Sequence, residues 1–201
     1  PALTPCPDEG GATHGDENGA VSPTERYDLA VIGGGPAGSA AAIRAARGGA
    51  RVVVFEKGRY GRDKVCGDGL TPRAVGALRE LDIALDGAHR IDGLRMIAGR
   101  QRRELPWPQH GRFPSHGAVW PRRRLDAHLV DAAEKAGAEV VFETEALPIV
   151  DGERVTGVEA GGRRIEAALT VLAAGAQGRA AALVGAERDP DEPFGLAIRA
   201  Y

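Results

Sequence analysis

Gly33-Gly34-Gly35-Pro36-Ala37-Gly38 follows the apolar run from Tyr27 to Ile32 and precedes an alanine-rich run from Ser39 to Ala46. A second apolar run begins at Val52 and ends at Glu56. Strand, glycine turn, helix and second strand in that order make a dinucleotide-binding βαβ unit. The glycine positions fit three separate demands: Gly33 makes the tight turn, Gly35 lets the backbone approach a pyrophosphate, and Gly38 lets helix and strand pack closely. Phosphates then sit on amides at the helix N-terminus. Glu56 can accept hydrogen bonds from both hydroxyls of an adenosine ribose, whereas a 2′-phosphate meets a like charge. The unit is expected to hold FAD or NAD in preference to NADP.

A chain of 201 residues is long enough for one domain, or one and part of another. A formal net charge of -2 and a pI near 6.3 give no reason to expect nucleic acid. The basic runs Arg100 to Arg103 and Arg122 to Arg124 read as a turn and a helix start. The chain has 2 cysteines, Cys6 in a polar tail and Cys66 in a glycine-rich loop, and 5 scattered histidines, so neither a disulfide framework nor a metal site is expected. A reducing cytoplasm fits this usage. No apolar run approaches a membrane span, so any membrane contact is expected to be peripheral, at the inner face.

Residues 1–25 are polar, rich in Gly, Pro and acidic residues, and are expected to be a disordered tail. Residues 26–185 read as the nucleotide-binding domain and 186–201 as the truncated start of a second, substrate domain. Glu56 to Thr71 is a long glycine-rich loop of the kind that carries function. Pro72 to Leu81 reads as a helix, Ile91 to Ala98 as a strand, Ala118 to Trp120 as a short strand, and Leu125 to Ala136 as an amphipathic helix stopped by Gly137. A short strand follows at Val140 to Phe142. Asp151-Gly152 between Leu147 to Val150 and Val155 to Val158 is a hairpin signal. Ile165 pairs loosely with that hairpin, giving an antiparallel excursion near 146–166. Leu169 to Ala173 reads as a last buried strand, Ala180 to Val184 as a short helix, and Phe194, Leu196 and Ile198 as a strand in progress. The fold expected is α/β: a Rossmann-type FAD-binding domain with an inserted antiparallel β excursion, as in two-dinucleotide-type flavoproteins.

Three stretches together carry a resemblance: Gly33 to Gly38; Arg62-Asp63-Lys64-Val65-Cys66-Gly67-Asp68-Gly69-Leu70-Thr71-Pro72-Arg73; and Arg122 with Leu125, Asp126 and Leu129. The chain resembles the N-terminal half of the geranylgeranyl reductase family of FAD-dependent oxidoreductases, closest to the bacterial enzymes that saturate a double bond of the menaquinone isoprenoid tail. The resemblance implies FAD as cofactor, an isoprenoid lipid or quinone as substrate, and NAD(P)H or another reductant as electron donor. It implies that Gly33, Gly35 and Gly38 hold the FAD pyrophosphate and Glu56 the adenosine ribose, with Pro36, Ala37 and Lys57 also in the cofactor site. Arg62, Arg122, Ala146 and Gly175 complete the cofactor site, and Cys66 and Gly67 lie beside the isoalloxazine ring, with Cys66 the flavin-proximal candidate for a catalytic role.

Two positions depart from that family. Its members carry an Asp-Gly pair after the strand ending at Ala173, where this chain has Ala174-Gly175; a lost charge-assisted hydrogen bond costs about 1.5–3 kcal/mol. They also carry a Gly-Asp motif opening a late helix, and neither Gly15-Asp16 nor Gly67-Asp68 stands in that context. The alternatives are a flavin monooxygenase or halogenase of the same architecture, and a non-catalytic FAD-binding fragment.

Overall fold

The computed structural model describes residues 26–109, 111–176 and 179–186, with positions 189, 191, 193 and 195. The expectations for residues 1–25, Phe194, Leu196 and Ile198 fall outside the described residues. The chain opens with β1 (Arg26–Ile32), α1 (Pro36–Arg47) and β2 (Val52–Phe55). All of β2, Val-Val-Val-Phe, is buried, as an apolar run in a sheet covered on both faces must be. Pro36 stands in the first turn of α1, where its missing N–H costs nothing.

The loop after Glu56 contains a two-residue strand, β3 (Gly69–Leu70), and leads into α2 (Pro72–Glu80). Thr71 caps α2, its side chain accepting a hydrogen bond from the Ala74 amide at 3.3 Å. There follow β4 (His89–Ile91), β5 (Gly93–Ala98), β6 (Gln101–Pro106), β7 (Gly117–Val119), α3 (Arg122–Lys135) and β8 (Glu139–Val141). The described chain closes with β9 (Ala146–Asp151), β10 (Arg154–Ala160), β11 (Arg163–Leu172) and a 3-10 turn at Ala182–Val184.

The main sheet has 6 strands in the order β8-β2-β1-β11-β10-β9. β8, β2, β1 and β11 run parallel, while β10 and β9 are antiparallel. The expected parallel sheet with an antiparallel excursion is therefore present. On one face, Val31, Val52 and Val54 pack with Ile43 of α1, Leu78 of α2, Leu129 of α3 and Trp120. On the other, Ile32, Val53 and Phe55 pack with Ala146, Val158 and Ile165 from the excursion. Trp120 is thus a core residue, only 4% exposed.

Five local expectations are corrected. Ile165 and Leu169 to Ala173 are not separate strands: one strand, β11, pairs with β10 from Arg163 to Glu166 and with β1 from Glu166 to Leu172. Leu169 is also not buried but 62% exposed, because among the described residues the helices on its face cover only Val171 and Ala173. The strand expected over Ile91 to Ala98 breaks at Asp92 into β4 and β5. The basic run Arg100 to Arg103 is mostly strand rather than turn, since β5 and β6 form a separate two-stranded ribbon from Gly93↔Pro106 to Ala98↔Gln101. Glu104 joins the two strands by accepting a hydrogen bond from its cross-strand partner Arg95 at 2.7 Å, and it also accepts from Arg102 of its own strand at 2.7 Å. The short helix expected over Ala180 to Val184 is a single 3-10 turn.

Candidate functional site

The strand order changes direction at β1, with β2 on one side and β11 on the other, so a crevice opens at the carboxyl ends of these strands. It is a cleft of about 450 Å³ between the glycine turn, the end of β2, the start of α3 and the segment after β11. Gly33 begins the turn with φ +107°, and a Cβ there would lie 2.4 Å from the Ala173 carbonyl oxygen. A Cβ on Gly38 would lie 1.8 Å from the Gly33 carbonyl oxygen. Turn, helix and neighbouring strand thus approach too closely for any side chain at either position. The first turn of a helix leaves its amides without intrahelical partners, and the first turn of α1 carries no acidic residue. Gly35, Ala37 and Gly38 therefore offer amides to an anion; Pro36 has none.

Glu56, 5% exposed, sits at the end of β2. Its Oε2 accepts from the Gly34 amide at 3.0 Å and from Arg62 at 3.0 Å. Its Oε1 accepts from the Gly58 amide at 2.8 Å and from Arg62 Nε at 2.9 Å. Burial pushes this carboxyl up, but the Arg62 hydrogen bonds, the Gly58 and Gly34 amides and the Arg62 charge outweigh it and hold the group below its ordinary value. Glu56 is thus an ionised acceptor. Arg62, reaching back from the loop, fills the positions that a ribose would use, so ribose binding requires Arg62 to release Glu56. The same fork moderates the repulsion expected against a 2′-phosphate, because the carboxylate is already paired.

A second carboxylate lies behind the first pair. Asp126 accepts from Arg122 Nε at 2.7 Å and from a terminal nitrogen of Arg122 at 2.8 Å. It also accepts from Arg62 at 3.4 Å. Asp126 first of all, together with Cys66, raises the Arg122 pKa against the opposing effect of burial, so this guanidinium stays charged. A Cβ on Gly35 would lie 3.8 Å from Arg62 and 3.9 Å from Arg122. Both guanidiniums therefore converge on the backbone of the phosphate cradle.

Most residues singled out in the sequence line this one cleft. Gly33, Gly35, Pro36 and Ala37 form one wall; Glu56, Lys57, Arg62 and Arg122 form another; Ala146 and Gly175 stand opposite. Gly38 lies beneath the wall, packed on Gly33 and Val31. Cys66 and Gly67 do not line the cleft, but the half-buried Cys66 lies close enough to Arg122 to help keep its guanidinium charged. Ala174 lines the cleft and packs against the second core cluster. Sequence reasoning left two residues without roles. Asp68 accepts from the Arg122 amide at 3.0 Å and so caps α3, whose own N-cap is Pro121. Asp126 stands one helical turn after Arg122, an i,i+4 spacing that signals such a pair.

Among known proteins, the chain is 39% identical over 181 residues to a menaquinone reductase of Mycolicibacterium smegmatis, covering 88% of this chain and 44% of the relative. It is 37% identical over 130 residues to a digeranylgeranylglycerophospholipid reductase of Thermoplasma volcanium, covering 63% of this chain and 32% of that protein. The chain therefore spans less than half the length of these relatives. A solved structure of a geranylgeranyl bacteriochlorophyll reductase-like protein from Thermoplasma acidophilum superposes with a TM-score of 0.63 at 31% identity, covering 74% of this chain and 39% of that one. A myxobacterial chondrochloren halogenase superposes with a TM-score of 0.67 at 27% identity, covering 77% and 38%. Residues 26–196, which hold the cradle, the Glu56 carboxylate and both guanidiniums, match the family described as FAD binding domain, and the chain belongs to that family.

Proposed function

We propose that this chain carries the FAD-binding portion of an oxidoreductase that reduces carbon–carbon double bonds of isoprenoid chains, a menaquinone tail or a geranylgeranyl lipid. The observation that carries the reading is a cleft built for an adenosine diphosphate moiety in a chain 39% identical, over 88% of its length, to a menaquinone reductase. The residues fit FAD on three counts: a glycine cradle that a Cβ would fill, an ionised acceptor at the end of β2, and two cations over the cradle. On this reading residues 26–185 bind the cofactor, and residues 186–201 begin the substrate domain.

The amides of Gly35, Ala37 and Gly38 hold the pyrophosphate, with Arg62 and Arg122 balancing its charge. Glu56 takes the adenosine ribose once Arg62 moves off it, and Lys57 lies at the same end. Ala146 and Gly175 leave the opposite wall small. Cys66, near Arg122, and Gly67 would lie beside the flavin ring, where a small, polarizable side chain would let an isoprenoid approach. When bound, reduced FAD supplies hydride for one alkene carbon while a proton reaches the other. The protein's task is to align the two and exclude water. NAD(P)H or another reductant is the electron source. Among the described residues no helix is long and apolar enough to cross a membrane; a lipid substrate is the ground for proposing peripheral contact at the cytoplasmic face.

The test supplies the dithionite-reduced full-length protein with menaquinone or geranylgeranyl lipids and follows products by mass spectrometry. A gain of two hydrogens per reduced bond is expected. Hydroxylated or halogenated products would assign the chain to the monooxygenases and halogenases of this fold, and bound FAD without any product would favour a non-catalytic role. Cys66→Ala is expected to slow turnover about tenfold, equivalent to ~1.4 kcal/mol of barrier, with flavin content unchanged; unaltered turnover would leave Cys66 a packing residue.

A further inference from the structure

We infer that Asp126 is a positioning residue for the anion site: it fixes the guanidiniums of Arg122 and Arg62 over the phosphate cradle before any ligand arrives. The inference rests on the proposed reading of the cleft as a dinucleotide site, and it assigns a role to a buried carboxylate that itself lies outside the cleft lining.

Asp126 is 5% exposed on α3. Its Oδ1 accepts from Arg122 Nε at 2.7 Å, and its Oδ2 accepts from Arg122 at 2.8 Å and from Arg62 at 3.4 Å. The fork on Arg122 is bidentate, the arrangement that fixes a planar guanidinium in both direction and tilt. An arginine held only by its stem loses rotamer freedom when a ligand orders it. Asp126 moves that cost from ligand binding to folding.

Charge alone predicts the opposite effect. The four groups Glu56, Arg62, Arg122 and Asp126 sum to zero formal charge, so Asp126 cancels attraction that a phosphate would otherwise feel. Retaining a buried carboxylate beside an anion cradle makes sense if orientation outweighs net charge. Asp126 also joins the two ends of the site. Arg62 donates through Nε to Glu56 at 2.9 Å and through a terminal nitrogen to Asp126 at 3.4 Å. When a ribose displaces Arg62 from Glu56, Asp126 keeps the guanidinium within reach of the phosphates.

The experiment measures ADP affinity by calorimetry on the full chain, for the native sequence, Asp126→Asn, Arg122→Gln and the double variant, with thermal unfolding of each. Asp126→Asn keeps the volume and removes the charge. It is expected to weaken ADP binding about tenfold in the native background and less than about threefold beside Arg122→Gln, since most of its effect runs through Arg122. Unchanged or tighter binding by Asp126→Asn would overturn the inference, because charge relief would then exceed positioning. An equal loss in both backgrounds would also overturn it, by showing a general effect on the fold. If the native chain binds neither ADP nor FAD, the reading of the cleft fails, and the inference fails with it.

Discussion

Gly38→Ala is expected to lower the melting temperature of the chain by about 6–12 °C, the equivalent of ~3 kcal/mol for a protein of this size. In an ordinary helix this substitution stabilises, because alanine is favoured over glycine by about 1 kcal/mol. Here the new Cβ would stand 1.8 Å from the Gly33 carbonyl oxygen and 3.0 Å from Val31 Cγ1. One of those neighbours is backbone at the turn itself and cannot rotate away. The helix must therefore back off from β1, carrying the Gly35 and Ala37 amides with it. Thermal unfolding and flavin titration on the same preparation check both consequences, and a variant with native stability and affinity would contradict this packing of α1 on the turn.

Glu56→Arg should weaken FAD binding by about 10- to 100-fold, the loss of one or two hydrogen bonds to a charged group. The substitution removes the acceptor for the ribose and takes away the partner of Arg62, the Gly34 amide and the Gly58 amide together. A second guanidinium then faces Arg62 where a fork had been. Glu56→Gln keeps one carbonyl acceptor and should lose less. Flavin fluorescence titration separates the two variants; equal affinity of Glu56→Arg and the native chain would remove Glu56 from the site.

The parts of this site that were legible in the sequence are those set by neighbours along the chain. Gly33, Gly35 and Gly38 stand at fixed offsets between a strand and a helix, and their spacing alone implies the cradle. Asp151-Gly152 marks the hairpin of β9 and β10 in the same way. The β5–β6 ribbon was hidden because its Arg95–Glu104 pair forms across strands, while along the chain Arg100 to Arg103 read as a polar turn.

The electrostatic core of the site was less legible for the same reason. Arg62 meets Asp126 across 64 positions and Asp68 caps α3 across 54, distances over which no periodicity carries information. Arg122 and Asp126 are the exception, since their i,i+4 spacing shows in the sequence. That Arg62 pairs with Glu56 follows only from the fold. The sequence offers Glu56 as a candidate ribose acceptor; the structure adds that both its carboxylate oxygens are paired.

The central claim is that the cleft recognises the adenosine diphosphate half of FAD. It is tested most directly by titrating the chain with FAD, FMN and ADP under identical conditions. FMN carries the same flavin ring and one phosphate but lacks the adenosine monophosphate that completes the half of FAD proposed for the cradle, Glu56 and the two guanidiniums. The account predicts that FAD binds, that ADP competes with it, and that FMN binds at least about tenfold more weakly, the equivalent of ~1.4 kcal/mol. FMN binding as tightly as FAD, or FAD binding that ADP does not displace, would contradict it.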